Sequence, residues 1–248
     1  MSVNSSTATK VLDILLLFDE TRPEISSDAI GEAIQTPRSS TYRYIRTLTS
    51  KGFLEKGESG KYRLGPVFLQ FGNLIYGEQT LGRIALPVMT AIRDKMNETV
   101  LLTRRFNHFS VCMERVEGQQ AVRITFKLGH TQPLHAGASS KILLAFAGKP
   151  VWDVYLSQPL EKFTVNTITD PDAMREHLKQ IRKQGFCISD GEVDIGAKAV
   201  AVPILNNKKQ LVAGLSTAGP AFRMTGETIS RHLELLRAGA AEIAEKLR

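Results

Sequence analysis

Thr36-Pro37-Arg38-Ser39-Ser40-Thr41-Tyr42-Arg43-Tyr44-Ile45-Arg46-Thr47-Leu48-Thr49-Ser50-Lys51-Gly52 opens on a helix start signal and closes on a helix stop. Thr36 reads as the N-cap, and Pro37 suits the first helical position, where its missing N–H would be unpaired anyway. Gly52 stands where a left-handed residue ends a helix. With Tyr42, Ile45 and Leu48 as the inward stripe, Arg38, Ser39, Ser40, Arg43, Arg46 and Thr47 face outward, with Thr41 among them as a further candidate. These side chains are cations and hydroxyls, the groups that meet phosphates and base edges.

Working outward, Thr9 to Glu20 carries Val11, Ile14, Leu15 and Phe18 at helical spacing, and Arg22-Pro23 ends the run. A second helix of two turns starts after Ser26, a capping hydroxyl, with Ala29, Ile30, Ala33 and Ile34 inward. After Gly52, Phe53 to Lys56 and Lys61 to Leu64 are strand-like and flank Gly57-Glu58-Ser59-Gly60, which predicts a hairpin bearing Lys56, Lys61 and Arg63. Residues 1–35 hold Lys10 and Arg22 against six acids, net −4, whereas residues 36–65 hold seven Lys/Arg against Glu55 and Glu58, net +5. Positive charge therefore collects on the third helix and the hairpin. Three helices and a basic hairpin in this order predict a winged helix-turn-helix over residues 1–65, with double-stranded DNA as partner.

The chain has 248 residues, 42% hydrophobic and 23% charged, which predicts two globular domains, and its +7 net charge favours polyanions without proving one. Residues 66–80, with Val67, Phe68, Phe71, Leu74 and Ile75, are too apolar for an ordinary surface helix. They are expected to link the domains and to pair with a second copy, since one recognition helix gains specificity by reading two half-sites. The alternative is that this helix packs on its own domain. From residue 81 to 248 the pattern gives a helix at Leu81–Met96 bent by Pro87, then strands near Val100–Thr103, Ser110–Glu114 and Ala121–Ile124. Helices follow near Ser140–Phe146, Val151–Leu156 and Pro171–Gln184, then strands at Ala199–Leu205 and Leu211–Thr217, and a last helix at Thr225–Lys246. The expected class is α+β, an antiparallel sheet flanked by helices. Cys112 and Cys187 are the only cysteines, without metal-ligand spacing, and the apolar run Val11–Phe18 is interrupted by Asp13. A cytoplasmic protein with no membrane span, metal or cofactor is expected.

The chain resembles the IclR family of bacterial transcriptional regulators along nearly its whole length. The resemblance rests on the Thr36–Arg43 segment, Tyr62-Arg63-Leu64-Gly65, Pro133-Leu134-His135-Ala136 followed by Ser140-Lys141-Ile142-Leu143-Leu144-Ala145, Gly185-Phe186, Asp190-Gly191-Glu192, Gly196, Ala201-Val202-Pro203-Ile204 and Ser216-Thr217-Ala218-Gly219-Pro220. It implies a homodimer, or a tetramer of paired dimers, on an inverted-repeat operator, and a GAF-like C-terminal receptor for a small organic acid, commonly controlling a catabolic operon. It leaves repressor and activator both open. Carried over by motif, the effector residues are Ala121, Ile124, Gln132, Ala138, Ser139, Ser189, Ala197, Ala199, Ser216 and Ala218, with the amides at the start of the helix after Leu-His-Ala holding a carboxylate. Ser140 stands where a glycine is usual, Ser189 where an acid is frequent, and Ala218 where some members have serine. These departures predict a roomier or more apolar pocket and a larger organic acid, an aromatic one among the candidates. Two rival readings are a hydrolase or lyase built on Ser139, Ser140 and His135, which lacks a Gly-x-Ser-x-Gly elbow, and an architectural DNA binder without a ligand. His135 itself reads as a structural histidine, and no catalytic residue is assigned.

Overall fold

The computed structural model describes residues 6–19, 21–75 and 81–247, in two compact units, Met1–Glu78 and Gln79–Arg248. The first holds α1 (Ser6–Leu16), α2 (Ser27–Ala33), α3 (Arg38–Ser50), the antiparallel pair β1 (Leu54–Lys56) and β2 (Tyr62–Leu64), and α4 (Val67–Ile75). Ile14, Ile25, Ile30, Ile34, Ile45, Leu48, Leu54 and Tyr62 form its core.

Several local expectations shift. α1 ends at Leu16, before Phe18, because the Asp19 carboxylate accepts the N–H groups of Thr21 and Arg22 and holds a turn there; Glu20 lies outside the described residues. Ser26 caps α2 by accepting the Ala29 N–H, but the helix buries Ile30 and Gly31, leaving Ala29 and Ala33 exposed. The N-cap of α3 is Pro37, one residue later than the expected Thr36, and Thr36 instead donates its hydroxyl to Ile34 O and accepts Lys10 Nζ at 2.8 Å. The inward stripe of α3 is Thr41, Ile45 and Leu48, not Tyr42, which is 44% exposed. Gly31 explains the exchange: a Cβ there would lie 3.0 Å from Thr41 Oγ1 and 3.3 Å from Thr36 O, so α2 and α3 close to a distance that only a small residue tolerates. Gly52 takes the left-handed conformation, φ +76°, as its position after α3 predicts.

The second unit opens with α5 (Leu81–Met96), which keeps Pro87 inside the helix, and then forms β3 (Thr99–Phe106), β4 (Phe109–Val116), β5 (Thr131–Pro133), α6 (Ala138–Ala147), α7 (Lys149–Leu156), α8 (Pro171–Gln184), β6 (Cys187–Asp190), β7 (Ala197–Leu205), β8 (Leu211–Pro220) and α9 (Gly226–Lys246). The strands make one antiparallel sheet in the order β5-β4-β3-β8-β7-β6. Its strand period of two divides two cores. Val100, Leu102, Val200, Val202, Ile204, Ala213 and Leu215 pack with α5 and α9 on one face, and Ala201 and Cys187 pack with α6, α7 and α8 on the other. Ala121–Ile124 is not a strand. Two of its carbonyls are satisfied by side chains instead of a ladder, Ile124 O by Thr99 Oγ1 and Val122 O by Arg223, so the segment runs irregularly past the start of β3. β5 and β6, unforeseen in the sequence, close the two sheet edges.

Candidate functional site

The outer face of α3 and the β1–β2 hairpin form a groove lined by Ser39, Tyr42, Arg43, Ile45, Arg46, Thr49, Ser50, Lys56 and Tyr62. Of the predicted DNA-contacting residues, Arg38, Ser39, Arg43, Arg46, Thr47, Lys56, Lys61 and Arg63 are exposed and Ser40 is half-buried. Thr41 departs from the expectation. It is buried, and its hydroxyl donates within the turn toward Thr36 O and Pro37 O, which fixes the start of α3 against α2. Arg43, Arg46, Lys56 and Lys61 keep their charge free of carboxylates among the described residues, whereas Arg63 pairs with Glu55 at 2.6 Å and Arg38 with Asp28 at 3.4 Å. Both pairs are solvent-exposed and cost little to exchange for phosphate. Tyr42, Thr49 and Ser50 were missed. Continuing the helical spacing from Ser39 through i+3, i+7, i+10 and i+11, once Thr41 is taken as inward, finds them.

The second site is a cavity between the sheet and α6. Register places Ser189, Ala199 and Ala218 in one row across β6, β7 and β8, with Ser216 opposite Leu101 on β3. Small side chains on this face leave the space. Nine of the ten motif-derived residues line it: Ile124, Gln132, Ala138, Ser139, Ser189, Ala197, Ala199, Ser216 and Ala218. Ala121 does not. It is exposed on the irregular segment, three residues before Ile124. The enclosed volume is about 40 Å³, room for roughly three water molecules. Ile124 and Phe126, from the irregular segment, stand on its wall with the small residues. Leu101, Phe126, Gly137, Glu192, Val193, Asp194 and Lys198 complete the wall and were not foreseen.

Around the start of α6 the polar groups are ordered. Gly137 donates its N–H to Glu192 Oε2 at 3.2 Å and Ala138 donates to Ser189 Oγ at 3.0 Å. The other Glu192 oxygen pairs with Lys141, which is fully buried and also donates to His177 Nε2 at 3.0 Å. Burial, and after it the Lys141 charge, push His177 down to about 4, so at neutral pH it is the uncharged acceptor this contact needs. Lys198 is paired with Asp190 at 2.7 Å. Ser216 Oγ, 1% exposed, has no hydrogen-bond partner among the described residues although it lines the cavity. An orphaned buried hydroxyl costs about 1–3 kcal/mol, which a ligand acceptor would recover.

Two of the three groups of the hydrolase reading, His135 and Ser140, are otherwise engaged. His135 has Tyr155 Oη at 2.8 Å on Nδ1 and Glu161 O at 2.8 Å on Nε2, the satisfied structural histidine the sequence predicts. Ser140 Oγ lies 2.7 Å from Ser110 Oγ, facing β4 and not the cavity, which is why serine replaces glycine there without narrowing the site. Cys112 and Cys187 are buried, and desolvation raises them to about 11 and about 12, so neither is a nucleophile at neutral pH. No three His, Cys, Asp or Glu side chains gather to hold a metal ion, and no helix is long and apolar enough to cross a membrane, among the described residues.

Residues 7–58 match the IclR helix-turn-helix domain, and residues 75–245 match the bacterial transcriptional regulator IclR C-terminal family. The chain belongs to the IclR family. It is a transcriptional regulator with a helix-turn-helix DNA-binding domain, and its IclR-type C-terminal domain is the α+β sheet unit described above. Over 248 residues it is 30% identical to the HTH-type transcriptional regulator KipR of Bacillus subtilis, covering 100% of this chain and 99% of that one. It is 28% identical to the Pca operon regulatory protein of Acinetobacter baylyi, over 94% of this chain and 86% of the other. Among solved structures, an IclR homologue from Microbacterium hydrocarbonoxydans complexed with 4-hydroxybenzoate superimposes with a TM-score of 0.84 at 28% identity, over 98% of this chain and 99% of that one. In this IclR-family chain the predicted linker, residues 66–80, contains α4; its Leu69, Phe71 and Leu74 are exposed.

Proposed function

We propose that this chain is a cytoplasmic, homodimeric regulator whose binding to an inverted-repeat operator is controlled by a small organic acid held in the α6 cavity, and that it acts without chemistry of its own. The observation that carries the reading is Ser216 Oγ, a buried donor with no partner among the described residues, on the wall of a cavity that also holds the start of α6. Free donors and the positive end of a helix favour a carboxylate or another acceptor. The 4-hydroxybenzoate bound by the homologue supports an acid as the class. The cavity accepts an aromatic acid by displacing Ile124 and Phe126, which lie on a segment with no strand ladder to break. On the DNA side, Ser39, Arg43 and Arg46 are the base-edge and phosphate donors of α3, with Lys56, Lys61 and Arg63 on the wing. Control of a catabolic operon fits an acid effector.

Thermal shift with acetate, pyruvate and 4-hydroxybenzoate tests the effector reading. Binding to the folded state alone raises the melting temperature, by the equivalent of about 2.7 kcal/mol at a hundredfold excess over Kd. At least one acid is expected to stabilise the wild type and to lose most of that effect in Ser216→Ala. Stabilisation of both proteins to the same degree would remove Ser216 from the site.

A further inference from the structure

We propose that Glu192 sets what the cavity accepts: its carboxylate already occupies the Gly137 amide at the start of α6, and an acid ligand binds by displacing it. The inference rests on the effector reading above. Glu192 is 8% exposed, lines the cavity, accepts the Gly137 N–H at 3.2 Å with one oxygen and holds Lys141 with the other. A helix N-terminus carries roughly half a positive charge, enough to favour one anion, and a second carboxylate beside the first is opposed by like-charge repulsion. The chain thus supplies internally the charge that a ligand would bring.

The surrounding donors remain set for an external acceptor. Ser216 Oγ is buried without a partner among the described residues, and Ser189 Oγ, which receives the Ala138 N–H, keeps its own proton to donate. Lys198, the cation on the cavity wall, is committed to Asp190. Glu192 is also the group free to yield. Its backbone is fixed by Thr167 Oγ1 donating to Glu192 O at 2.6 Å and by Thr164 Oγ1 donating to Gly191 O at 2.5 Å, so it moves by side-chain torsion alone. On leaving Gly137 the carboxylate keeps Lys141, and Lys141 keeps neutral His177, so no buried charge is stranded. The consequence is selectivity: an anion too small to reach Ser216 as well gains too little to displace Glu192, whereas an acid that engages both does so.

Calorimetric titration of the full chain, wild type, Glu192→Gln and Glu192→Asp, with pyruvate, 4-hydroxybenzoate and the neutral 4-hydroxybenzamide tests this. Glu192→Gln removes the competing charge and is expected to bind the acids on the order of tenfold tighter, with the amide unchanged. Glu192→Asp keeps a carboxylate for Lys141 but is one methylene too short for Gly137; it is expected to tighten the same acids, and it carries the test if the glutamine variant does not fold. Acid binding by the folded variants that is equal to or weaker than wild type would overturn the role of Glu192 while leaving the effector reading standing. Failure of all three proteins to bind either acid would overturn both.

Discussion

At the scale of single residues, His177 offers a solution readout of the buried Lys141–Glu192 pair. Its folded pKa, about 4, lies below the 6.5 of the unfolded chain. Between those values the unfolded state binds the extra proton, so the stability it contributes is present above pH 6.5 and is lost as pH falls through this window toward 4. In Glu192's partner network a glutamine can still accept from Lys141, so His177→Gln is expected to melt at a temperature less dependent on pH between 7 and 4.5. Its slope should be smaller by up to one proton per molecule. Parallel curves for the two proteins would mean that His177 titrates in the fold as it does in the unfolded chain. Legibility at this scale is uneven for physical reasons. Ser139, Ser189 and Ser216 could be found because strand and helix-start motifs fix where their side chains go, and register brings them to one cavity. Glu192 lay inside a quoted motif, but its role depends on Lys141 and Gly137, more than fifty residues away in sequence, and no local pattern encodes that contact. Thr41 and Tyr42 were exchanged because both fit an amphipathic stripe through Ile45 within one residue's rotation; the close approach of Gly31 decides between them.

At the scale of elements, those with strong end signals are legible to the residue. α5 spans Leu81–Met96 and α8 spans Pro171–Gln184 as read from sequence, the latter framed by Asp170 as cap, Pro171 at its first position and left-handed Gly185 after it. β5 and β6 are three and four residues long and are placed by their neighbours, so their sequences alone carry no period. Ala121–Ile124 has strand-like composition without a strand partner. α4 raises the element-scale prediction. Leu69 is 73% exposed and Leu74 78%, while Phe68 and Phe71 contact Phe53 at ring-centroid distances of 5.7 and 5.9 Å. One side of α4 is thus anchored to its own unit and the other is bare. Burying one leucine is worth about 1.5–3 kcal/mol, so a paired α4 would contribute substantially to a dimer. The variant Leu69→Glu/Leu74→Glu is expected to keep its helical content and melting transition, since both side chains are exposed, yet to run as a monomer in light scattering and to lose operator affinity. A variant that remains dimeric would place the dimer contact elsewhere, and a monomeric wild type would overturn the dimer itself.

At the scale of the whole molecule, an effector that regulates operator binding obeys a strict reciprocity. If the acid changes operator affinity by some factor, the operator must change acid affinity by the same factor, typically 5–150-fold, roughly 1–3 kcal/mol of coupling. Two substitutions separate the sites. Arg43→Ala removes an exposed donor of α3 and is not among the residues lining the acid cavity, so it is expected to weaken operator binding at least tenfold and to leave the acid's Kd in the absence of DNA unchanged. Ser216→Ala is expected to do the converse, weakening the acid while leaving acid-free operator binding intact. The decisive measurement is the acid titration repeated with and without saturating operator DNA in the wild type, set beside the operator titration with and without saturating acid. Equal ratios are required whatever the sign of regulation, because the cycle closes. An acid that binds with the same Kd in both conditions would be a ligand without regulatory effect, and an acid whose binding weakens on operator DNA would mark this regulator as one that the effector releases from its operator.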